Sequence, residues 1–349
     1  MFASLIEYAI AEGASDIHLQ PGHSPFLRIG GKQKMATELS PVRKEEIVQV
    51  LESLINEEQK AFFEQHHSIR FVVKTSKGRL RICAYKTRKQ IGLQIRLLSL
   101  RPVTISDGNY PTSLENLANL QSGLVLICGS RGSGKSTLLR AMQIAKKNGS
   151  ISSLEDPIEI PWKHPSSLLC QQEVQTDGLS LKNLLDFAVQ CDFEMITLPF
   201  TAEKNLVQSI ITAATSKLVL LEIDASTEID AIQRLVQHLG VTNENLSILS
   251  RLLKGVAYVR LVPVKNDKVL PVTGVIVFNR SCSDAVMKNH LHELNDLVRK
   301  NNAGSGSQNL DIVLGNMVDK KEIALEVALR YATNPSLMKL QTTGIIHTE

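Results

Sequence analysis

Residues 129–137 read Gly129-Ser130-Arg131-Gly132-Ser133-Gly134-Lys135-Ser136-Thr137. This stretch fits the phosphate-loop pattern, in which a glycine, four free positions, Gly-Lys and a Ser or Thr follow one another. The apolar run 123–128 precedes it and a helical pattern over 137–142 follows, so strand, loop and helix stand in the order that the motif requires. The sequence therefore predicts a nucleotide site here. The alternative is a glycine-rich turn without a ligand.

The chemistry expected of this stretch follows from its backbone. A loop that leads into a helix points several N–H groups at one place, where a phosphate can accept their hydrogen bonds. We expect Lys135 to reach the β- and γ-phosphates and Ser136 to hold Mg²⁺. The predicted cofactors are ATP and Mg²⁺, with residues 129–137 around the nucleotide.

Composition limits the function classes. The 349 residues leave room for two domains, and 43% hydrophobic with 21% charged residues is typical of a globular protein. A net charge of +4 is too small for a bulk nucleic-acid binder, so no nucleic-acid partner is expected. The five cysteines are odd in number and form no Cys-x-x-Cys pair, which predicts reduced, mostly buried thiols of a cytosolic protein. No signal peptide or spanning helix is predicted, so the expected location is cytoplasmic, with any link to a membrane made through partners.

The first hundred residues predict a small α+β domain. Apolar periodicity predicts a helix over 2–12, strands over 15–20, 25–29, 69–74, 79–85 and 92–98, and one helix over 41–64, with a break near Asn56 as the alternative. Four arginines alternate with apolar residues on the later strands: Arg79, Arg81, Arg88 and Arg96. They indicate either a solvated face or strands whose guanidinium groups face a bound anion.

The rest of the chain predicts a linker over 101–113 and a layered α/β domain over 114–349 that includes C-terminal helices. Its predicted strands cover 123–128, 151–157, 195–198, 217–223, 257–262 and 273–278, and residues 301–307 are predicted to form a flexible joint between helices.

Several of these patterns resemble one family. Leu154-Glu155-Asp156-Pro157-Ile158-Glu159 looks like the Asp box of the type II/type IV secretion and pilus ATPases, specifically their PilT-like pilus-retraction branch. Residues 14–19 and 79–85 are similar to the opening and to the arginine-bearing strands of that family's N-terminal domain. The resemblance implies a small PAS-like α+β domain followed by a RecA-like P-loop ATPase domain with C-terminal helices.

The resemblance also implies partners and further site residues. Arg81 and Arg96 would complete a nucleotide site at a subunit interface. The chain would assemble with itself, as a hexamer, or with an active relative, and would act on an inner-membrane pilus or secretion platform protein. It would lie in the cytoplasm, peripheral to the inner membrane through those partners.

Two motifs depart from the family. The family's Walker B strand ends in Gly-Glu, whose glutamate is the base for the attacking water, whereas here Phe200 stands at that position. Its His box reads Gly-Thr-Leu-His-Thr, whereas here Asp224 replaces the histidine. Phenylalanine cannot take a proton, so ATP binding is expected with weak or absent hydrolysis, unless Glu155 or Glu222 takes over as base.

Two functions remain open on this sequence. One is an ATP-binding accessory subunit in pilus retraction, with Glu155 as the candidate catalytic residue for any residual hydrolysis. The alternative is a fully active hexameric ATPase motor that drives pilus retraction or secretion.

Overall fold

The computed structural model describes residues 2–76, 78–98, 102–174, 177–178, 180–265, 268–300 and 306–342. The chain divides into two compact units. The N-terminal unit comprises Met1–Arg101, Pro157–Trp162 and Asp267–Val269, and the C-terminal unit comprises Pro102–Asp156, Lys163–Asn266 and Leu270–Glu349. The packing of Pro157–Trp162 with the N-terminal unit was not predicted from the sequence. The division into 1–100, 101–113 and 114–349 stays a prediction.

The N-terminal unit is built on an antiparallel sheet. Its elements are α1 (Phe2–Ala11), β1 (Ala14–Leu19), β2 (Phe26–Ile29), β3 (Lys32–Met35), α2 (Lys44–Glu52), α3 (Glu57–His66), β4 (Ser68–Thr75), β5 (Gly78–Thr87) and β6 (Gln90–Leu98). Within the described residues the strand order is β3-β2-β1-β6-β5-β4, and every neighbouring pair is antiparallel. Alternate residues of β1, β5 and β6, such as Ile17, Ile82 and Ile95, are fully buried in its core. The strands predicted in this region are confirmed, and β3 was missed.

The helix predicted over 41–64 is two helices. Asn56 begins α3: its side chain accepts a hydrogen bond from the backbone N–H of Gln59 at 2.8 Å, and the Gln59 side chain accepts one from the backbone N–H of Asn56 at 3.2 Å. This reciprocal cap satisfies two N–H groups that a helix start leaves without partners. The prediction of one helix is therefore wrong, and the alternative of a break near Asn56 is confirmed.

The C-terminal unit is built on a mainly parallel sheet. Its elements are α4 (Ser113–Ala118), β7 (Gly123–Gly129), α5 (Lys135–Ala145), β8 (Ser150–Glu155), β9 (Leu168–Glu173), α6 (Leu181–Gln190), β10 (Met195–Pro199), α7 (Lys204–Ala214), β11 (Leu218–Asp224), α8 (Glu228–Leu239), α9 (Asn243–Leu252), β12 (Leu253–Pro263), β13 (Val269–Val277), α10 (Arg280–Met287), α11 (Glu293–Lys300), α12 (Leu310–Asp319), α13 (Leu325–Tyr331) and α14 (Pro335–Thr342). Among the described residues the strand order is β13-β12-β7-β11-β10-β8-β9, and the pairs from β12 to β9 are parallel.

The central strand β7 shows how this sheet is buried. Leu124, Leu126 and Cys128 pack in one hydrophobic cluster, whereas Val125 and Ile127 pack in another. Successive side chains of a strand point to opposite faces, so the two clusters cover the two faces of the sheet. A parallel sheet covered on both faces explains why the β7 sequence is apolar without a break.

Some predictions for this half need correction. The strand β9 was missed, and residues 301–305 of the predicted joint lie outside the described part of the chain. The cysteines are all free, as predicted, but only Cys128 and Cys282 are buried; Cys170 lies on the edge strand β9 and the exposed Cys191 follows α6. Of the helices described, none combines the length and the apolar character needed to cross a membrane.

A carboxyl group is buried at the start of α8. Glu228 is 8% exposed, and an added methyl group at Gly274 would collide with its carboxyl oxygen. Burial raises the pKa of Glu228 to about 7, with a further contribution from Asp311, although its own backbone N–H and the charge of Arg260 act in the opposite direction. The folded protein therefore holds this proton at pH values where an unfolded glutamate has released it.

Glu228→Gln is expected to stabilise the protein at alkaline pH. The folded pKa of about 7 lies above the ordinary 4.5, so this group's contribution is fully present below pH 4.5 and is lost as the pH rises through 7. The neutral glutamine does not suffer this loss, which amounts to up to about 3 kcal/mol at about 1.4 kcal/mol per pKa unit. Urea unfolding at about pH 5 and about pH 8 measures the difference. The control is Glu326→Gln, an exposed glutamate in the first turn of α13, and equal pH dependence in wild type and Glu228→Gln would contradict the expectation.

Candidate nucleotide-binding site

The loop between β7 and α5 needs glycine at both ends. Gly129 has a φ of 154°, and an added Cβ would lie 2.6 Å from the carbonyl oxygen of Val259. Gly134 has a φ of 102° and precedes α5 without a side-chain cap. The first N–H groups of α5 therefore stay available to a ligand at the positive end of the helix dipole.

Lys135 is the buried cation of this loop. Its side chain is 5% exposed, and its Nζ donates to the carbonyl oxygen of Ser130 at 2.9 Å and lies 2.7 Å from Asp224 Oδ1. Asp224 also pairs with the exposed Arg131, whose Nε lies 3.3 Å from Oδ2. Partial burial acts to raise the pKa of Asp224, but Lys135 and then Arg131 outweigh it and hold the pKa below its usual value. Asp224 is therefore an anion at neutral pH and forms an ion pair with Lys135.

Two hydroxyl groups of the loop bear on ligand binding. Ser136 Oγ donates a hydrogen bond to Glu222 Oε1 at 3.2 Å. Ser133 Oγ is buried and has no hydrogen-bond partner among the described residues. A buried hydroxyl without a partner is costly, and an anionic ligand would satisfy it. The free N–H groups, Lys135 and Ser133 fit a phosphate, and the oxygens of Ser136 and Glu222 fit Mg²⁺, which prefers oxygen ligands.

The end of β10 carries no carboxylate. Phe200 follows Pro199, its backbone N–H donates to the carbonyl oxygen of Glu222 at 2.7 Å, and its ring packs edge-to-face on His238 with centroids 5.1 Å apart. The half-buried ring also packs against the hydrophobic core. Phe200 thus packs against the core and has no group that accepts a proton.

Glu155 ends β8 within a polar network. Its Oε1 accepts hydrogen bonds from Ser153 Oγ at 3.0 Å and from Gln171 Nε2 at 2.8 Å, and its Oε2 lies 3.7 Å from Arg140 on α5. In the strand order, β11 and β10 lie between β8 and the loop strand β7. Glu222 on β11 is therefore one strand from the loop and Glu155 is three.

The predicted interface arginines have acidic partners in the N-terminal unit. Arg81 pairs with Glu159, and Arg96 Nε donates to Asp16 Oδ1 at 2.8 Å. Arg79 donates to the carbonyl oxygens of Glu159 at 2.9 Å and Ile158 at 3.1 Å. Arg88 lies in the turn between β5 and β6 with a φ of 46°. Three of the four guanidinium groups thus have specific partners, so they do not form a merely solvated face.

Sequence reasoning missed the pairs Lys135–Asp224, Arg81–Glu159 and Arg96–Asp16, and it missed the contact between Ser136 and Glu222. Each joins residues far apart in the chain. For Glu222 and Asp224 a signal existed, since Glu222 lies near the end of the strand predicted over 217–223 and Asp224 directly follows that strand. In a parallel sheet such ends meet near the phosphate loop.

Comparison with known proteins places the chain in context. The family model "Type II/IV secretion system protein" matches residues 1–303. The type IV pilus ATPase PilU of Pseudomonas aeruginosa is 28% identical, over 97% of this chain and 90% of its own length. The type IV pilus retraction ATPase PilT of the same organism is 25% identical, over 95% and 98%.

Solved structures of a pilus retraction motor and of an ATPase also match this chain over most of its length. The pilus retraction motor PilT with bound ADP matches with a TM-score of 0.81 and 26% identity, over 96% of this chain and 98% of that one. The ATPase DotB of Legionella pneumophila matches with a TM-score of 0.78 over 94% of both chains, and at 19% identity this shows the fold alone. The predicted fold class, a small N-terminal α+β domain followed by a RecA-like P-loop domain, is confirmed. Since the family model covers most of its length, this chain belongs to the type II/IV secretion system protein family.

Proposed function

We propose that this chain is an ATP-binding subunit of a type IV pilus or type II secretion-like machine, with Mg²⁺ as the second cofactor. The buried Lys135, the partnerless hydroxyl of Ser133 and the uncapped start of α5 support ATP binding. The two relatives described as type IV pilus ATPases and the solved pilus retraction motor PilT with bound ADP support the pilus role. Mg²⁺, held at Ser136, would neutralise charge on the phosphates.

Hydrolysis by this subunit is weak or absent. The observation that carries this part of the proposal is Phe200, whose ring packs on His238 at the end of β10, where the family motif has its base. General-base catalysis contributes about 10²–10⁴-fold, and its loss slows turnover without removing the phosphate-binding groups.

The subunit therefore has an accessory role in pilus retraction. It assembles as a homo-oligomer, namely a hexamer, or in a mixed ring with an active relative, and it acts in the cytoplasm on an inner-membrane platform protein. ATP binding and steady-state phosphate release, measured on one preparation, test this. Binding with very slow release supports it.

The second candidate function is a fully active hexameric motor. The observation that favours it is the presence of two other carboxylates at strand ends, Glu155 and Glu222, of which Glu222 contacts Ser136. Rapid phosphate release that Lys135→Ala abolishes would establish the motor and remove the accessory role.

In the proposed ring, Arg81 and Arg96 lie near a phosphate bound to a neighbouring subunit. Planar guanidinium groups suit bidentate contacts with phosphate oxygens. The two residues lie side by side in the β5–β6 register, so one anion can approach both. Each would share its guanidinium group between this anion and its acidic partner in the same chain.

Arg81→Glu is expected to weaken nucleotide-dependent assembly. Losing a charged hydrogen bond of about 1.5–3 kcal/mol raises the protein concentration needed for half-assembly by about tenfold or more. Mass photometry with and without ATP measures this. Glu159→Gln is the matched control, because it removes the partner of Arg81 and keeps the guanidinium group. Equal losses in both variants would assign Arg81 to internal packing alone.

A further inference from the structure

The phosphate loop contacts a carboxylate from an unexpected strand. In P-loop proteins the Ser or Thr of the loop holds Mg²⁺ together with a carboxylate of the Walker B strand. Here that strand, β10, ends at Pro199 and is followed by Phe200, and neither side chain offers an oxygen. The hydroxyl of Ser136 instead donates to Glu222 on β11.

The strand register explains how Glu222 reaches this place. In the parallel pairing Glu222 lies opposite Ile127 of β7 on one side and opposite Pro199 of β10 on the other. It therefore stands between the loop strand and the strand that would normally supply the carboxylate. The backbone N–H of Phe200 donates to the carbonyl oxygen of Glu222, which fixes the two strand ends against each other.

The other acidic side chains near the site have different partners. Asp224 pairs with Lys135 and Arg131. Glu155 is held by Ser153 and Gln171. In the described part of the chain, the carboxylate that contacts the Ser136 hydroxyl belongs to Glu222.

We infer that Glu222 supplies the carboxylate side of the Mg²⁺ site, in place of a Walker B carboxylate on β10; this inference rests on the proposed ATP-binding function. The serine hydroxyl keeps donating its proton to Glu222, so its oxygen lone pairs stay free for the metal. Mg²⁺ is usually bound through one or two carboxylates together with substrate phosphates, and Ser136 with Glu222 offers this kind of oxygen set.

The two functions of the missing glutamate are thereby separated. Glu222 holds the metal from the neighbouring strand, whereas Phe200 stands at the position of the base and cannot accept a proton. Such a subunit binds ATP in a Mg²⁺-dependent way but hydrolyses it slowly.

The test is the Mg²⁺ dependence of nucleotide affinity, which does not depend on activity. A fluorescent ATP analogue is titrated onto the full chain in EDTA and at increasing Mg²⁺ for wild type and Glu222→Gln. We expect Glu222→Gln to bind the analogue in EDTA as wild type does, and to need about tenfold more Mg²⁺ or more for the tight state, since outer-shell partners of metals typically contribute 10–100-fold. Glu222→Thr also removes the carboxylate and suits a strand, so it gives the same readout if the glutamine variant folds poorly.

The control is Glu326→Gln, which removes an exposed carboxylate on α13 and should keep the Mg²⁺ requirement of wild type. An unchanged Mg²⁺ requirement in both Glu222 variants overturns this inference and leaves the proposed function standing. An equal shift in Glu326→Gln would mean that the loss of any carboxylate has this effect, and it overturns the assignment to Glu222. Absence of nucleotide binding by wild type, with or without Mg²⁺, overturns the proposed function and this inference with it.

Discussion

Phe200→Glu combined with Asp224→His is expected to raise steady-state phosphate release by about 10²-fold or more, because a positioned general base contributes about 10²–10⁴-fold. The wild-type chain should bind ATP and release phosphate very slowly. In the wild type, the ring of Phe200 packs on His238 and accepts no proton, and Asp224 puts a negative charge beside Lys135. Phosphate release from saturating ATP, followed with a coupled assay, measures the gain.

The control for this gain is Phe200→Gln combined with Asp224→His. Glutamine has nearly the shape of glutamate and cannot take a proton, so this pair should stay near the wild-type rate. Equal gains with Glu and Gln would mean that the relief of packing, and not a base, raises turnover. Rapid release by the wild type would show that another carboxylate acts as base, and Glu155→Gln would then identify or exclude Glu155.

Lys135→Ala is expected to weaken ATP binding by about 10- to 100-fold, because hydrogen bonds to charged groups contribute about 1.5–3 kcal/mol. Lys135 is the buried cation of the loop and lies 2.7 Å from Asp224. Equilibrium binding of a fluorescent ATP analogue measures the loss. Unchanged affinity would contradict the assignment of residues 129–137 as the nucleotide site.

Asp224→Asn is the matched control for Lys135→Ala, since it breaks the same ion pair from the other side. It frees the lysine and removes a negative charge near the phosphates. Affinity should therefore rise by up to about fivefold, since Asp224 is half-exposed and an ion pair with a solvated partner contributes up to about 1 kcal/mol. If both variants weakened binding equally, the ion pair itself, and not the charge offered to phosphate, would be what the loop requires.

These measurements separate three groups that lie close together. Lys135 acts on phosphate affinity, Glu222 on the Mg²⁺ requirement, and residue 200 on turnover. The structure gives each a different partner, namely Asp224, Ser136 and His238. A change that affects one readout and spares the other two is the signature of the proposed division of roles.

The amino-acid sequence by itself determined the elements whose causes are local. The apolar run of β7, the Gly-Lys-Ser of the loop and the helix after it follow from side-chain periodicity and from backbone requirements of a few neighbouring residues. The strands predicted over 195–198 and 217–223, which precede Phe200 and Asp224, follow from the same periodicity. The break at Asn56 was only an alternative, because a cap competes with apolar periodicity over the same residues.

Only the tertiary structure decided which side chains meet. Ser136 and Glu222 are 86 residues apart in the chain, and parallel pairing of β11 with β7 brings Glu222 beside the start of α5, where Ser136 lies. In the same way Arg96 reaches Asp16 across the β1–β6 pairing. The residue types were visible from the sequence, but their partners were set by strand order and register, which depend on packing and hydrogen bonding between distant segments.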